Sequence, residues 1–100
     1  MITAEIAVIP VGTSSTSMSD YVAKSEKVLD KHPDLRHKIT AMSTEIEGKN
    51  LDEIFEVLKE MHEAQITNGA LRVQTTIRID DRRDKECSMS EKVASLKAKL

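Results

Sequence analysis

Residues 43–79, STEIEGKNLDEIFEVLKEMHEAQITNGALRVQTTIRI, are predicted to form a strand, an amphipathic helix and a second strand. The helix, residues 51–66, has the clearest pattern in the chain, because one face carries mostly apolar side chains at helical spacing. These are Leu51, Ile54, Phe55, Leu58, Met61, His62 and Gln65. Asn50 is a candidate N-cap with Glu53 in the capping-box position, and Asn68-Gly69 predicts the end of the helix.

Strands are predicted on both sides of this helix. Residues 71–79 alternate between two faces with the period of two that is typical of a strand. One face carries Leu71, Val73, Thr75, Ile77 and Ile79, and the other carries Arg72, Gln74, Thr76 and Arg78. Before the helix, residues 43–47 predict a short strand, and the alternating residues 35–42 predict another strand ahead of it.

The N-terminal third of the chain predicts a further strand and helix. Residues 2–9 alternate, and Pro10 and Gly12 end that strand. Ser17 is a candidate N-cap for a helix that stops at His32-Pro33. The apolar stripe of that helix comprises Met18, Tyr21, Val22, Ser25, Val28 and Leu29. At the other end of the chain, a capping box at Ser88 and Glu91 begins a last helix with the stripe Met89, Val93, Leu96 and Leu100.

The predicted element order is β-α-β-β-α-β followed by a C-terminal helix. This order is typical of the α+β class and of the ferredoxin-like split β-α-β arrangement in a single domain, residues 1–100. Right-handed crossovers place both main helices on one face of an antiparallel sheet. The other face is then bare in a monomer, and the side chains expected on it are Thr3, Glu5, Lys38, Arg72, Gln74 and Arg78.

Composition and charge exclude several classes of function. The chain has 100 residues and a formal net charge of −2, which argues against binding to nucleic acid or to an anionic membrane surface. No apolar segment approaches the ~18–20 residues of a membrane-spanning helix, and the N-terminus lacks the basic segment of a signal peptide. The single cysteine, Cys87, excludes an internal disulfide, and we expect a cytosolic protein. The three histidines lack zinc-ligand spacing, so no metal site is expected.

Three polar features are candidates for a binding site. Residues 13–19 hold six hydroxyl side chains, which either cap a helix or face a polar ligand at a helix N-terminus. Glu45 and Glu47 alternate with Thr44 and Ile46 and are either solvated or able to neutralise a cationic ligand. His62 lies on an apolar stripe, where it is either a core-edge histidine or a ligand contact. No nucleophile motif or phosphate-binding loop accompanies them.

Four segments resemble the MTH1187/YkoF-like family of thiamine-binding proteins, also described as UPF0045 and DUF77. These segments are PVGTSSTSMSDYVA (10–23), MSTEIEG (42–48), LDEIFEVLKEMHEA (51–64) and GALRVQTTIRIDDRRDK (69–85). They follow the family's order and together span nearly the whole chain. The resemblance implies a ferredoxin-like subunit that assembles into dimers or tetramers and binds thiamine or a related pyrimidine or thiazole compound, with no known reaction and no cofactor.

The same resemblance implies which residues bind the ligand. Thr13, Ser17 and Ser19 match family positions in the hydroxyl-rich loop, Thr44 and Glu47 lie on the adjacent strand, and His62 lies on the second helix. Hydroxyl and imidazole groups suit the donor- and acceptor-rich aminopyrimidine of thiamine, and a carboxylate suits its cationic thiazolium. Two other hypotheses remain: a regulatory protein-interaction module without a small ligand, and an enzyme with His62 and Glu47 as acid and base.

Overall fold

The computed structural model describes residues 1–100 and contains four strands and three α-helices. In chain order these are β1 (Ile2–Pro10), α1 (Ser19–Lys27), β2 (Arg36–Ile39), β3 (Thr44–Gly48), α2 (Leu51–Thr67), β4 (Val73–Asp81) and α3 (Met89–Lys97). A short 3₁₀ turn, Val28–Lys31, extends α1. The strands form one antiparallel sheet in the order β2-β3-β1-β4, so the predicted ferredoxin-like α+β fold with a C-terminal helix is confirmed.

The burial pattern of the central strand β1 shows that the helices cover one face of the sheet. Its even-numbered residues are buried against α1 and α2, and its odd-numbered residues lie on the opposite face, as the alternation predicts. The core combines this buried row with apolar residues of β3, α2 and the segment after α1. Its members are Ile2, Ala4, Ile6, Val8, Val28, Leu29, Leu35, Ile46, Ile54, Val57, Leu58 and Met61.

The N-terminus of α1 differs from the prediction. The helix begins at Ser19, and its N-cap residue is Met18, which makes no capping hydrogen bond through its side chain. The prediction of Ser17 as the N-cap is therefore wrong. The Ser17 hydroxyl lies 3.5 Å from the Ser19 hydroxyl, and its backbone N–H donates to Ser15 Oγ. These side chains bond to other residues of the loop or to Ser19, and none of them caps the helix.

Two strand boundaries also differ from the prediction, and hydrogen bonds explain the first of them. β2 ends at Ile39 because Thr40 N and Thr40 Oγ1 both donate to Ser43 O, which closes a hairpin where the sequence predicted strand to residue 42. β4 begins at Val73 and continues to Asp81, which pairs with Ile2. Leu71 therefore precedes the strand and is 99% exposed, although the sequence placed it on the apolar strand face.

The caps of α2 and α3 follow the sequence. Asn50 Oδ1 accepts from the N–H of Glu53 at the start of α2, and Gly69 adopts a φ of +106° just beyond its end. In α3, Ser88 Oγ accepts from Glu91 N at 3.1 Å, while the Glu91 carboxylate accepts from Ser88 N at 3.4 Å. The predicted capping box of α3 is therefore present in both directions.

The sheet face opposite α1 and α2 is only partly bare, because α3 contacts one end of it. Lys92 Nζ of α3 donates to Thr3 Oγ1 and to Asp80 Oδ2, each at 3.0 Å. Beyond this contact, one cross-strand row brings together Lys38, Glu45, Glu5 and Arg78. We call this side the outer face. None of the helices has the length and apolar composition that a membrane crossing requires.

Candidate functional site

A cavity of about 230 Å³ lies between the sheet and the helices α1 and α2. Its mouth is formed by the hairpin between β2 and β3 and by the residue that precedes α1. The apolar lining includes Ile6, Val8, Met18, Val22, Ile39, Met42 and Met61. The polar lining includes Ser25, Glu26, Thr40, Ser43, Thr44 and Gln65. We call this space the inter-helix cavity.

A chain of hydrogen bonds fixes the polar groups under the cavity. Gln65 is 0% exposed, and its Nε2 donates to Val8 O at 2.8 Å and to Ser25 Oγ at 3.1 Å. Ser25 Oγ in turn donates to Met61 O at 2.7 Å. Because the Val8 carbonyl can only accept, these bonds also fix which end of the Gln65 amide is nitrogen. The Gln65 carbonyl oxygen is left as the free end.

Two buried acceptor atoms of the cavity lining have no partner. They are Gln65 Oε1 and Glu26 Oε2. The other carboxylate oxygen of Glu26, Oε1, accepts a short hydrogen bond from Thr44 Oγ1. A buried acceptor without a donor costs about 1–3 kcal/mol, and more when the group is charged. Two such atoms in one cavity therefore favour a ligand that brings hydrogen-bond donors.

The cavity has a simple charge pattern. Glu26 is the one ionisable residue of the lining, and no lysine, arginine or histidine lines the cavity. A desolvated carboxylate without a cationic partner is unfavourable, so a ligand that is cationic or rich in N–H groups complements it. The arrangement can bind and orient such a ligand through hydrogen bonds to Gln65, Glu26 and Thr44.

Two carboxylates outside the cavity, those of Glu5 and Asp81, are paired with arginines, in contrast to Glu26. Arg78 Nε donates to Glu5 Oε1 at 2.7 Å, and Ser43 Oγ donates to Glu5 Oε2 at 3.1 Å. The bond from Arg78, and to a smaller extent the bond from Ser43, lowers the pKa of Glu5 below its ordinary value of 4.5. A hydrogen bond from Arg83 likewise lowers the pKa of Asp81. In each of these ion pairs the carboxylate accepts from an arginine, so neither carboxylate needs a donor from a ligand.

Other surface depressions are larger but less suited to a ligand. One of about 800 Å³ lies beside the N-terminus and residues 81–86, where Arg82 bonds to Asp84 and Arg83 to Asp81. Another of about 730 Å³ lies between α3 and the strands β2 and β3. The inter-helix cavity is the stronger candidate because it alone is lined by both unpaired acceptors, Gln65 Oε1 and Glu26 Oε2.

The predicted loop hydroxyls lie beside the mouth of the cavity rather than in its lining. Thr13 Oγ1 donates to Ser15 O at 2.8 Å, and the Ser17 and Ser19 hydroxyls lie 3.5 Å apart. Met18, between those two serines, contributes to the lining. Of the six residues predicted to contact a ligand, Thr44 is the one that lines the cavity.

Glu47 and His62 lie elsewhere. The Glu47 carboxylate points to the outer face, where its Oε2 accepts from the N–H of Met89, the first residue of α3, at 2.7 Å. His62 Nδ1 lies 2.6 Å from Thr75 Oγ1 on the side of β4 that faces the helices. The structure therefore distributes the six predicted residues over four locations: the loop beside the mouth, the cavity lining, the outer face and the contact between α2 and β4. It also contains no cluster of three or more His, Cys, Asp or Glu side chains placed to hold a metal ion.

Sequence reasoning missed the residues that carry the unpaired acceptors or hold them in place from the helices: Ser25, Glu26 and Gln65. Ser25 and Gln65 were recognised as members of the apolar stripes of their helices, and a polar residue within such a stripe is a usable signal of a buried hydrogen bond. No comparable pattern identifies Glu26. Its role depends on the packing of α1 against β3, which the sequence pattern does not specify.

The fold and the cavity define the class of the protein. It is a ferredoxin-like α+β protein with a cavity between its helices and its sheet, and buried polar side chains line part of that cavity. The family model described as thiamine-binding protein matches residues 4–97. The chain belongs to this thiamine-binding protein family, and the resemblance inferred from the four sequence segments is confirmed.

Relatives in sequence cover the whole chain. A UPF0045 protein of Methanothermobacter thermautotrophicus is 48% identical over 100 residues, which is all of both chains. The UPF0045 protein YqgV of Bacillus subtilis is 40% identical over 103 residues, covering 100% of this chain and 98% of that protein. The similarity thus extends over the full length of each relative and is not confined to one motif.

Solved structures show the same fold. A hypothetical protein of Methanocaldococcus jannaschii superimposes with a TM-score of 0.86 at 38% identity, covering 96% of this chain and 95% of that one. A Thermotoga maritima protein proposed to act in thiamine biosynthesis or salvage gives a TM-score of 0.78 at 19% identity, covering 95% and 97%. At that identity the second match supports the fold alone.

Proposed function

We propose that the protein binds thiamine or a related pyrimidine or thiazole compound in the inter-helix cavity, without chemical conversion, as a homo-oligomer in the cytosol. The observation that carries this proposal is the pair of buried, unpartnered acceptors, Gln65 Oε1 and Glu26 Oε2, in the cavity of a thiamine-binding family member. These atoms favour a ligand with hydrogen-bond donors, and membership of the thiamine-binding protein family indicates the class of ligand.

The chemistry of thiamine matches the cavity lining. Its aminopyrimidine carries an amino group that can donate two hydrogen bonds, and its thiazolium is permanently cationic. The amino group can donate to Gln65 Oε1, and the positive ring system complements the Glu26 carboxylate. Methionine side chains at positions 18, 42 and 61 supply polarisable apolar contact for the rings in a cavity without an aromatic residue.

We assign the sequence-predicted residues to different parts of this site. Thr44 holds Glu26 in place through its hydroxyl, while Thr13, Ser17 and Ser19 belong to the loop beside the mouth. Glu47 and His62, predicted from the resemblance to contact the ligand, are bonded to α3 and β4 in the structure. We therefore assign these two residues no contact with the ligand and propose that they fix the positions of α3 and β4.

Titration calorimetry with thiamine and with the free aminopyrimidine tests the proposal. We expect saturable binding near one ligand per chain and no product.

Glu26→Gln keeps an oxygen that can accept from Thr44 but replaces the unpaired acceptor with an N–H donor. We expect it to weaken binding roughly 10- to 100-fold, the value of a charged hydrogen bond. Glu56→Gln, an exposed change on α2 outside the cavity, is the matched control. No binding of either compound by the parent protein overturns the proposal.

A second candidate, a regulatory protein-interaction module, is favoured by one observation. The apolar stripe of α3 is exposed in the C-terminal half of the helix, where Val93 is 49% and Leu96 60% accessible, and Leu100, just beyond the helix, is 95% accessible. Such a stripe requires a partner surface to be buried. An interaction module would bind a protein through α3 and give no saturable heat with thiamine. The proposed thiamine-binding protein would give saturable heat with thiamine.

A further inference from the structure

We propose that the β2–β3 hairpin, residues 39–43, is a lid that closes over the inter-helix cavity when a ligand occupies it. This inference rests on the proposed function, because it concerns how the same cavity retains its ligand. It follows from the position of the hairpin at the mouth, from its exposed apolar side chains and from the hydrogen bonds at its base.

The hairpin forms the part of the cavity wall that faces solvent. Each of its five residues lines the cavity, and the rest of the lining belongs to β1, β3, α2 and α1 with its N-cap Met18. The strand that leads into the hairpin, β2, is an edge strand that pairs only with β3, and its four side chains are all exposed. Segments with few buried contacts open at a lower free energy than the core does. The hairpin can therefore move while the rest of the wall stays in place.

Two apolar side chains of the hairpin line the cavity and are nevertheless exposed. Ile39 is 60% and Met42 is 86% accessible, whereas Met61, which lines the same cavity from α2, is 1% accessible. A ligand that fills the cavity gives Ile39 and Met42 a surface to cover, and covering it removes apolar area from water. The unbranched methionine side chain also adapts readily to the shape of a ligand. Closure of the hairpin is therefore favoured by binding.

Two successive hydroxyl groups hold the base of the hairpin from opposite faces of the sheet. On the outer face, Ser43 Oγ donates to Glu5 Oε2 at 3.1 Å, and Arg78 Nε donates to Glu5 Oε1 at 2.7 Å. On the helix side, Thr44 Oγ1 donates to Glu26 Oε1. The hairpin residues that precede Ser43 are all exposed. A lid that pivots at this base leaves Glu26, the proposed ligand contact, in place.

The turn itself is closed by its own hydrogen bonds. Thr40 N and Thr40 Oγ1 each donate to Ser43 O at 2.8 Å, and Ser43 N donates to Thr40 Oγ1 at 3.1 Å. These bonds join the two ends of the turn, so Ala41 and Met42 move together with Thr40. The hairpin therefore swings as one unit about the point where Ser43 is held by Glu5.

Hydrogen exchange of the parent protein with and without thiamine tests the lid. We expect saturating thiamine to slow exchange at the amides of residues 40–43 several-fold, because lids that close over a ligand exclude water. The exposed residues 82–86, which lie outside the cavity, are expected to exchange at the same rate in both samples. Unchanged exchange in the hairpin overturns the lid and leaves the proposed function intact.

Two other outcomes of this experiment are informative. Protection of the hairpin that rises with protein concentration and does not respond to thiamine overturns the lid and assigns Ile39 and Met42 to a contact between copies. Failure of thiamine to bind in the calorimeter overturns the proposed function and this inference with it.

Met42→Ser tests the contribution of the apolar tip. We expect the variant to release radiolabelled thiamine roughly three- to tenfold faster than the parent, the factor for partial loss of one buried methionine contact. The association rate is expected to stay near the parental value, because the lid closes after the ligand has entered. Leu71→Ser removes an apolar side chain that is 99% accessible and lies outside the cavity, so it is the matched control. Equal release rates in the two variants contradict the role of Met42.

Ser43→Ala tests the anchor at the base. The change removes the bond to Glu5, and we expect faster exchange at the hairpin amides of the unliganded protein, together with faster release of thiamine. Ser90→Ala, an exposed change on α3, is the control and is expected to keep the parental exchange in the hairpin. Parental exchange in the hairpin of Ser43→Ala would overturn the assignment of Ser43 as the anchor of the lid.

Discussion

Glu47 illustrates how a single buried carboxylate fixes a helix to a sheet. Its Oε2 accepts from the N–H of Met89 at the start of α3, where a negative charge also interacts favourably with the helix dipole. Replacement by Gln keeps the size but removes the charge, and we expect it to weaken the attachment of α3 by about 1–2 kcal/mol. Faster hydrogen exchange at the α3 amides measures this loss, with thiamine affinity expected to stay at the parental value.

Glu45→Gln is the control for this change, since Glu45 lies two residues away on the same face of β3 and its carboxylate makes no bond to α3. Unchanged exchange in α3 after Glu47→Gln would show that the helix is held by other contacts. A large loss of thiamine affinity would instead return Glu47 to the binding site that the family resemblance implied.

The ion pair between Glu5 and Arg78 predicts a pH dependence of stability. The hydrogen bond from Arg78 lowers the pKa of Glu5 in the folded protein, so the unfolded chain binds more protons in acid. The stabilisation is therefore complete above the unfolded pKa and is lost as the pH falls through the folded pKa. We expect Arg78→Met to flatten the decline of urea stability between about pH 5 and 3. Arg72→Met, an exposed change before β4, is expected to keep the parental slope.

At the residue scale, only part of the candidate site could be predicted from sequence. Thr44 was identified through the family resemblance, and it does line the cavity. Gln65 and Ser25 were placed on helix stripes, but the bond that joins them links residues 40 positions apart. Such a bond depends on how α1 packs against α2, which the periodicity of either helix leaves undetermined.

At the element scale, the junction between β3 and α2 requires a residue without a side chain. A Cβ atom on Gly48 would lie 2.7 Å from Leu35 Cδ2 and 3.3 Å from Ile54 Cδ1, and both of those side chains are buried in the core. We expect Gly48→Ala to lower the free energy of unfolding by about 1–3 kcal/mol, the usual cost of overpacking. Urea denaturation measures the change, and Lys49→Ala at the adjacent exposed position is the control. A midpoint equal to that of the parent would mean that Leu35 can move aside without cost.

The elements themselves were predictable because their periodicity coincides with burial. The alternation in β1 matches the face that the structure buries, and so does most of the predicted stripe of α2. Two residues of α2 differ: Phe55, predicted on the stripe, is 52% exposed, and Val57, left out of it, is fully buried.

The other errors lie at the ends, where local hydrogen bonds decide. The Thr40–Ser43 turn shortens β2, and Ser17 bonds to Ser15 and Ser19 instead of capping α1, which starts at Ser19. Ends of this kind depend on competing side-chain bonds, which apolar spacing does not encode.

At the scale of the whole molecule, the position of α3 could not be predicted from its own pattern. The element order predicts the four-stranded sheet, since right-handed crossovers leave one arrangement of β-α-β-β-α-β. The C-terminal helix is outside that rule, and its position depends on single contacts from Glu47, Thr3 and Asp80 to its first turn. The stripe beyond those contacts therefore remains without a covering surface in one chain.

This exposed stripe predicts self-association of the protein through α3. An isolated helix of nine residues is marginal in water, and α3 has no buried residue within one chain. A second copy that covers Val93, Leu96 and Leu100 would remove apolar surface from water and order the helix.

We expect sedimentation velocity at micromolar concentration to show an oligomer and Leu96→Glu to shift it towards monomer, since a buried charge opposes association. Ser95→Glu adds the same charge outside the stripe and is expected to leave the assembly intact. A parent protein that sediments as a monomer, or equal behaviour of the two variants, would exclude the α3 stripe as the contact surface.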